Sequence, residues 1–368
     1  HRFMSHAPVK ITHASDYLTQ LHNEGKVLAE FTERKSIIEQ QLNLRASELG
    51  LQISVMPGLL DEVTALVEWP EVLVGEFAEK FLAVPQECLI LSMAKNQKYF
   101  ALLDSSGKLS NKFLFVANLI SKNPQVIIEG NQKVLTARLA DAEFFYEFDK
   151  RTPLRDFTAK MSNVVYHNKL GSQLERVQRL QQIAAGIAPL LNVDATLAAS
   201  TAYLLKADLA SEMVGEFPEL QGTMGKYYAL ASGESAEVAN AIEQHYYPRF
   251  SGDELPNSAL ATVMSLADKL ESLVGIWGIG LIPTGDKDPY ALRRAALGVV
   301  RILLEYKLDL AQLLDASVSA FAGKNLSVNT AVEIYEFIKQ RLANYFISIE
   351  NYSTKVVNAV LANTQVNF

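Results

Sequence analysis

The stretch Pro283–Gly298 reads P-T-G-D-K-D-P-Y-A-L-R-R-A-A-L-G and joins a charged turn to the start of a helix that carries paired arginines. Gly285 permits a tight turn, Asp286 and Asp288 can accept hydrogen bonds from exposed backbone N–H groups, and Pro289 stands where a first helical turn has no N–H to lose. The pattern predicts Asp288 as the N-cap of a helix. Beyond it, Ala291, Leu292, Ala295, Ala296, Val299, Val300 and Leu303 recur at helical spacing, while Arg293, Arg294 and Arg301 leave or flank that apolar stripe. Guanidinium groups held beside a rigid turn can bind phosphate, or they can pair with carboxylates elsewhere in the chain.

The surroundings of this segment are helical. From Leu154 onward strand signals fade. Leu170, Leu174, Val177, Leu180, Ile183, Ala184 and Ile187 form one helical stripe, and Leu197–Val214 is expected to form another. Loops are expected at 252–257 and from Gly275 to Gly285. The apolar G-I-W-G-I-G run at 275–280 points to close helix packing rather than phosphate binding. A further helix is predicted near Leu308–Phe321, a boundary at Ala322–Asn325, and two helical runs over Val332–Ala362 split by Glu350–Ser353. The first 150 residues mix strands with helices. Strands are predicted at Val72–Phe77, Tyr99–Leu103 and Phe113–Asn118, the last two joined by a hairpin at Asp104-Ser105-Ser106-Gly107. Helices are predicted at Asp16–Leu21, Thr32–Leu49, Gly58–Val67 and Asn123–Phe148, which makes this portion α+β.

With 368 residues, 49% hydrophobic and 20% charged, the chain is long enough for two or three domains. Its one cysteine, Cys88, has no internal disulfide partner and lies in an apolar run, which fits a reducing, cytoplasmic setting. No apolar run approaches the roughly 18 to 20 residues of a membrane helix. The chain opens on His1 in mid-pattern, from which a missing N-terminal segment is expected. A net charge of −7 argues against a surface that attracts nucleic acid everywhere, yet the charge is unevenly placed. Between 151 and 180 six basic residues (Arg151, Arg155, Lys160, Lys169, Arg176, Arg179) face two acidic ones, and between 206 and 254 three face nine. Such a field can orient a phosphate backbone toward one side.

Several further motifs stand in a fixed order along the chain: W-P-E-V-L-V-G-E-F at 69–77, N-Q-K-Y-F at 96–100, A-R-L-A-D-A-E-F-F at 137–145, M-V-G-E-F-P-E-L-Q-G-T-M-G-K-Y-Y-A at 213–229, Y-Y-P-R-F at 246–250 and L-A-D-K-L at 266–270. Together with the 283–298 segment they resemble the β-subunit family of the bacterial heterotetrameric glycyl-tRNA synthetases over essentially the whole length. The resemblance implies a fragment that lacks an N-terminal part and most of the C-terminal anticodon-binding domain. It implies an α+β portion (1–150) similar to part of the phenylalanyl-tRNA synthetase β-subunit scaffold, a mainly α-helical HD-like domain (151–325), and the start of a helical anticodon-binding domain (326–368). In that family the α subunit carries the site for glycine and ATP, with Mg, while β binds tRNA-Gly in a heterotetramer of two α and two β chains.

The HD-like outline raises an enzymatic rival, because a metal-dependent phosphohydrolase needs two histidines and two aspartates to hold ions that activate water. Here the position of the His-Asp pair reads Ala207-Asp208, with Asp268 sixty residues on, and the helix near 170–180 brings no histidine. Asp208 and Asp268 are therefore read as remnants expected to pair with Lys206, Lys269 or an arginine, or to cap helices. The early histidines His1, His6, His13 and His22 follow no compact ligand spacing. His167 lies in a basic neighbourhood, and His245 is expected at a helix end, stabilised by the dipole. No phosphate loop, nucleophile triad or dinucleotide fingerprint is found. No catalytic residue, metal site or cofactor is assigned to the chain. The expected tRNA contacts are Arg151, Arg155, Lys160, Lys169, Arg176 and Arg179, with Lys287, Arg293 and Arg294 as a second group. A scaffold for α without RNA affinity is the other alternative.

Overall fold

A computed structural model describes residues 1–5 and 7–362 and divides into two compact units, the second beginning at Asp149. His6 and the last six residues of the anticodon-binding expectation lie outside the described residues. In the first unit the elements run α1 (Phe31–Glu48), β1 (Gln52–Ile53), α2 (Leu59–Leu66), β2 (Glu71–Glu76), α3 (Gln86–Gln97), β3 (Phe100–Leu103), β4 (Leu109–Ala117) and α4 (Pro124–Asp149). The strands form one antiparallel sheet in the order β1-β3-β4-β2.

Alternation along β4 divides the two faces of this sheet. Leu114, opposite Phe100 and Val74, joins Ile38, Leu42, Leu59, Val63 and Leu102 in the core under α1 and α2. Phe113 and Phe115 point the other way and meet Tyr99, whose ring stacks on Phe113 at 4.9 Å and whose hydroxyl donates to Asn131 of α4 at 2.6 Å. The β3–β4 turn forms because Asp104 accepts bonds from Ser106 and Lys108 amides and Gly107 takes a positive φ of 79°. Pro124 supplies the first turn of α4. Cys88 is fully buried in α3, and that burial pushes its thiol pKa far up, so it is a packing residue.

The second unit comprises α5 (Leu154–Lys160), a hairpin of β5 (Val165–His167) and β6 (Gly171–Ser172), then α6 (Gln173–Ile187), α7 (Ala195–Leu204), α8 (Glu212–Glu216), α9 (Thr223–Ala231), α10 (Ala236–Gln244), α11 (Ala259–Gly278), α12 (Leu292–Tyr306), α13 (Leu310–Ser319), α14 (Thr330–Ser348) and α15 (Thr354–Ala362). Local chemistry starts most of the longer ones. Ser172 and Glu175 form a capping box on α6, and Asp194, Ser235, Ser258 and Asp309 cap α7, α10, α11 and α13. Helix α11 is buried on nearly every side, with α6, α7, α10, α12, α13 and α14 around it.

Four expectations are corrected here. The β5–β6 hairpin interrupts the helical region. The Leu197–Val214 helix breaks after Leu204, because Ser211 turns its hydroxyl to the amide of Val214 and starts the separate α8. The loop expected from Gly275 starts only after Gly278, since the glycines lie in α11. A Cβ on Gly275 would come within 2.9 Å of Phe321, and one on Gly278 within 2.9 Å of Leu326. Finally, α12 begins at Leu292 rather than beside Asp288. Ala291 turns into the left-handed region at φ 56°, while the Asp288 carboxylate reaches forward to accept from the amides of Leu292 and Arg293 at 2.9 Å each.

The aromatic face of the sheet leaves no room at Gly75, where a Cβ would lie 2.4 Å from the Phe113 ring. Gly75→Ala is expected to lower stability by about 1–3 kcal/mol in urea denaturation, the usual cost of overpacking. An unchanged midpoint would refute this account of the face.

Candidate functional site

The polar centre of the second unit is built on α11, where Ser265, Asp268, Lys269, Glu271 and Ser272 interrupt an otherwise apolar helix. Charges placed there need partners, because a bare ion in an apolar interior costs several kcal/mol. Asp268 Oδ1 lies 2.9 Å from Lys206 Nζ and 3.0 Å from Arg176 Nη2. Arg176 also donates to Glu271 Oε2 at 2.9 Å and to Ser272 at 2.9 Å, and its guanidinium lies over the Tyr166 ring. The other Glu271 oxygen takes Arg179 at 2.8 Å, which also donates to the Leu170 carbonyl and packs on Phe321.

Burial works against the Asp268 carboxylate, yet Lys206 and Arg176 more than offset it and hold its pKa well below the usual range. Burial likewise pulls the Lys206 pKa down to about 8, with Asp268 opposing, so the ammonium is charged at neutral pH. His245 sits at the end of α10 as expected, but it is wholly buried and its pKa is driven far down, first by burial and then by Lys206. It is neutral, so the expected stabilisation by the helix dipole has no ring charge to act on. Nδ1–H donates to the Ile242 carbonyl, and Nε2 accepts from Lys206 at 2.8 Å.

Asp208 is separate from this ion cluster. Its Oδ2 accepts from the amides of Gly222 and Gly225 at 2.6 and 3.1 Å, capping α9 from outside, and burial raises its pKa to about 6. The two aspartates therefore meet backbone amides and fixed cations. Among the described residues, no group of three His, Cys, Asp or Glu side chains is placed to hold a metal ion. Lys269 donates to the Tyr247 carbonyl at 2.7 Å and to Ser265 at 2.9 Å, and Gly298 makes space for it, because a Cβ there would lie 2.5 Å from Lys269 Cε.

The nine basic residues singled out in the sequence separate into inward and outward sets. Arg176 and Arg179 face the ion cluster and are committed to Asp268 and Glu271. Arg151, Arg155, Lys160 and Lys169 are exposed; Arg155 lies over the Tyr203 ring and Lys160 over Phe157. Lys287 and Arg294 are exposed, and Arg293 is half-buried with its guanidinium on the Gly285 carbonyl at 2.6 Å. The His167 and Tyr290 rings meet at 6.3 Å, which brings the hairpin turn bearing Lys169 beside the 287–294 segment. His13 bonds Ser15, and His22 bonds Asn23 and packs on Trp69, so these make local contacts. Sequence reasoning missed Glu271, although a carboxylate three residues from Asp268 on one apolar helix marks a shared face. It also missed Asp149, a fully buried carboxylate that accepts from the amides of Glu212 and Met213 and from the Tyr228 hydroxyl.

The family model described as glycyl-tRNA synthetase beta subunit matches residues 1–362, and the chain belongs to that family. It is 56% identical over 363 residues to the glycine–tRNA ligase beta subunit of Neisseria meningitidis serogroup C (strain 053442), covering 98% of this chain and 52% of that protein. The corresponding subunit of Neisseria gonorrhoeae (strain ATCC 700825 / FA 1090) is also 56% identical over 363 residues, with the same coverage. That of Ralstonia nicotianae is 53% identical over 365 residues, again covering 98% and 52%. The chain thus spans about half the length of the curated relatives it matches. No helix among the described residues is long and apolar enough to cross a membrane.

Two outcomes follow from the ion cluster. Glu271→Gln leaves Arg176 and Arg179 without their shared anion and is expected to cost ~3–5 kcal/mol in chemical denaturation; a loss below ~1 kcal/mol would show that the pair is not the anchor described. Burial lowers the Lys269 pKa to about 7, below that of a free lysine. The unfolded chain then binds the extra proton between pH ~7 and ~10, and stability contributed at this site rises with pH across that window. The stability of the wild type relative to Lys269→Met should therefore rise by up to ~1.4 kcal/mol per pH unit between those limits. A pH-independent difference would contradict it.

Proposed function

We propose that this chain is a tRNA-binding, non-catalytic part of a glycyl-tRNA synthetase β subunit. In this reading it supports the ATP-dependent attachment of glycine to tRNA-Gly by an α subunit, which uses ATP with Mg, in a cytoplasmic assembly of two α and two β chains. The second unit is read as an HD-like domain followed by the start of an anticodon-binding domain. Family membership supports the role in glycyl-tRNA synthesis.

The observation that carries RNA binding is the outward basic set. Arg151, Arg155, Lys160 and Lys169 are exposed, and none of them is in an ion pair among the described residues, so their charge is available to phosphate. Arg176 and Arg179 are left out of the proposed contact, since both are spent on Asp268 and Glu271. A phosphohydrolase reading is disfavoured by the same geometry. The two remnant carboxylates are engaged elsewhere, Asp268 Oδ1 with Lys206 and Arg176 and Asp208 Oδ2 with the amides of Gly222 and Gly225.

The test is a salt titration of tRNA-Gly binding by the chain, with and without purified α subunit, repeated on an Arg151→Glu, Arg155→Glu, Lys160→Glu variant. The wild type is expected to bind with a steep salt dependence, and the variant to bind more weakly with a slope flatter by about two to three. Equal affinity and slope in both would remove these residues from the interface. A stable complex with α but no tRNA binding would make the chain a scaffold.

A further inference from the structure

Two of the sequence motifs, 213–229 and 246–250, converge on one cavity of about 180 Å³ in the second unit. Glu219, Gln221 and Thr223 line it from the first motif and Tyr246 and Tyr247 from the second, joined by Glu243 of α10. The lining is held from behind. Gly222 takes a positive φ of 83°, and a Cβ there would lie 2.8 Å from the Tyr246 ring, so the 219–223 turn closes directly on that ring. Lys206 Nζ lies 4.1 Å from the Tyr246 centroid. Arg249, also in the lining, lies 4.7 Å from the Tyr247 centroid while its guanidinium holds both oxygens of Asp253. The cavity is smaller than the roughly 300–1,000 Å³ of cofactor and small-molecule sites, and it suits one long side chain rather than a nucleotide.

The charge around this cavity is lopsided. All three cations of the 206–254 stretch are committed: Lys206 to Asp268 at 2.9 Å, Lys226 to Glu243 at 2.7 Å and Arg249 to Asp253 at 2.8 Å. Nine carboxylates stand in the same stretch, and of these Glu212, Glu216, Glu219, Glu237 and Glu254 are exposed. A nucleic-acid backbone is repelled from such a surface. A cationic side chain gains there in two ways, because its aliphatic stem covers the tyrosine rings while its charged head meets the carboxylates.

We propose that this cavity is the socket for a lysine or arginine side chain of a protein partner, and that the partner is the α subunit. The choice of α rests on the subunit reading above; the cationic chemistry does not. The two charge fields of the unit then serve different partners, the exposed basic set meeting phosphate and the acidic rim of the socket meeting protein.

The test is calorimetry of purified α subunit against the wild-type chain and against Glu219→Lys and Gln221→Arg, two exposed positions of the lining. It is run at two sodium chloride concentrations, with tRNA-Gly binding measured in parallel. The wild type is expected to bind α less tightly at the higher salt, and each variant to bind α ~10-fold more weakly than the wild type. Neither variant is expected to bind tRNA more weakly. A selective loss of α binding in either variant supports the socket. If α binds the wild type and both variants with equal affinity and salt dependence, the socket is overturned while the association with α stands. If the wild type binds tRNA but not α, the proposed partner is overturned and the tRNA reading stands. If both variants lose α and tRNA binding alike, the socket is overturned as well, since it entails no loss toward RNA.

Discussion

The second unit depends on one constraint: charge placed inside an apolar helix has to be neutralised where it stands. Asp268 and Glu271 lie on α11, which is surrounded by other helices; Glu271 is fully buried and the Asp268 side chain is 13% exposed. The solution is to bring cations in from the partners, Arg176 and Arg179 from α6 and Lys206 from the end of α7. Each of these contacts fixes the helix that supplies the cation. Because truncating one side strands the other in low dielectric, the network sets the relative placement of α6, α7 and α11 more strictly than apolar packing alone does.

The same network determines what this centre can do chemically. A lysine ammonium sits where the acceptor atoms of Asp268 and His245 converge, 2.9 Å from Asp268 Oδ1 and 2.8 Å from His245 Nε2. His245 is thereby kept in one neutral tautomer. Asp208, which stands next to Ala207 in the sequence, has been drawn away to the backbone amides at the start of α9. Function is accordingly sought on the outer surface, where the basic side chains have no such commitments.

Much of the fold was legible in the sequence because it is written locally. Pro124 at the head of α4 and the Asp104–Gly107 turn each specify an element from within a few residues. The misses arise where distant contacts decide. A helical stripe over 197–214 looks continuous until Ser211 is seen to favour a fresh cap. Gly275 and Gly278 look like loop residues until Phe321 and Leu326, far along the chain, are found against them. For the candidate site the limit was the same. Arg176 and Arg179 share the composition and spacing of their exposed neighbours, and only the fold shows that α6 turns both toward Glu271.

The burial of α11 on all sides has a consequence for biogenesis. Its cover comes from α6, α7 and α10, which precede it in the chain, and from α12, α13 and α14, which follow. A ribosome that has just released Gly278 therefore presents an apolar helix covered on only one flank, and it stays so until Ser348 has emerged, seventy residues later. Throughout that interval the nascent chain displays a surface suited to chaperones and to self-association. Termination anywhere in the interval would leave α11 without part of its cover.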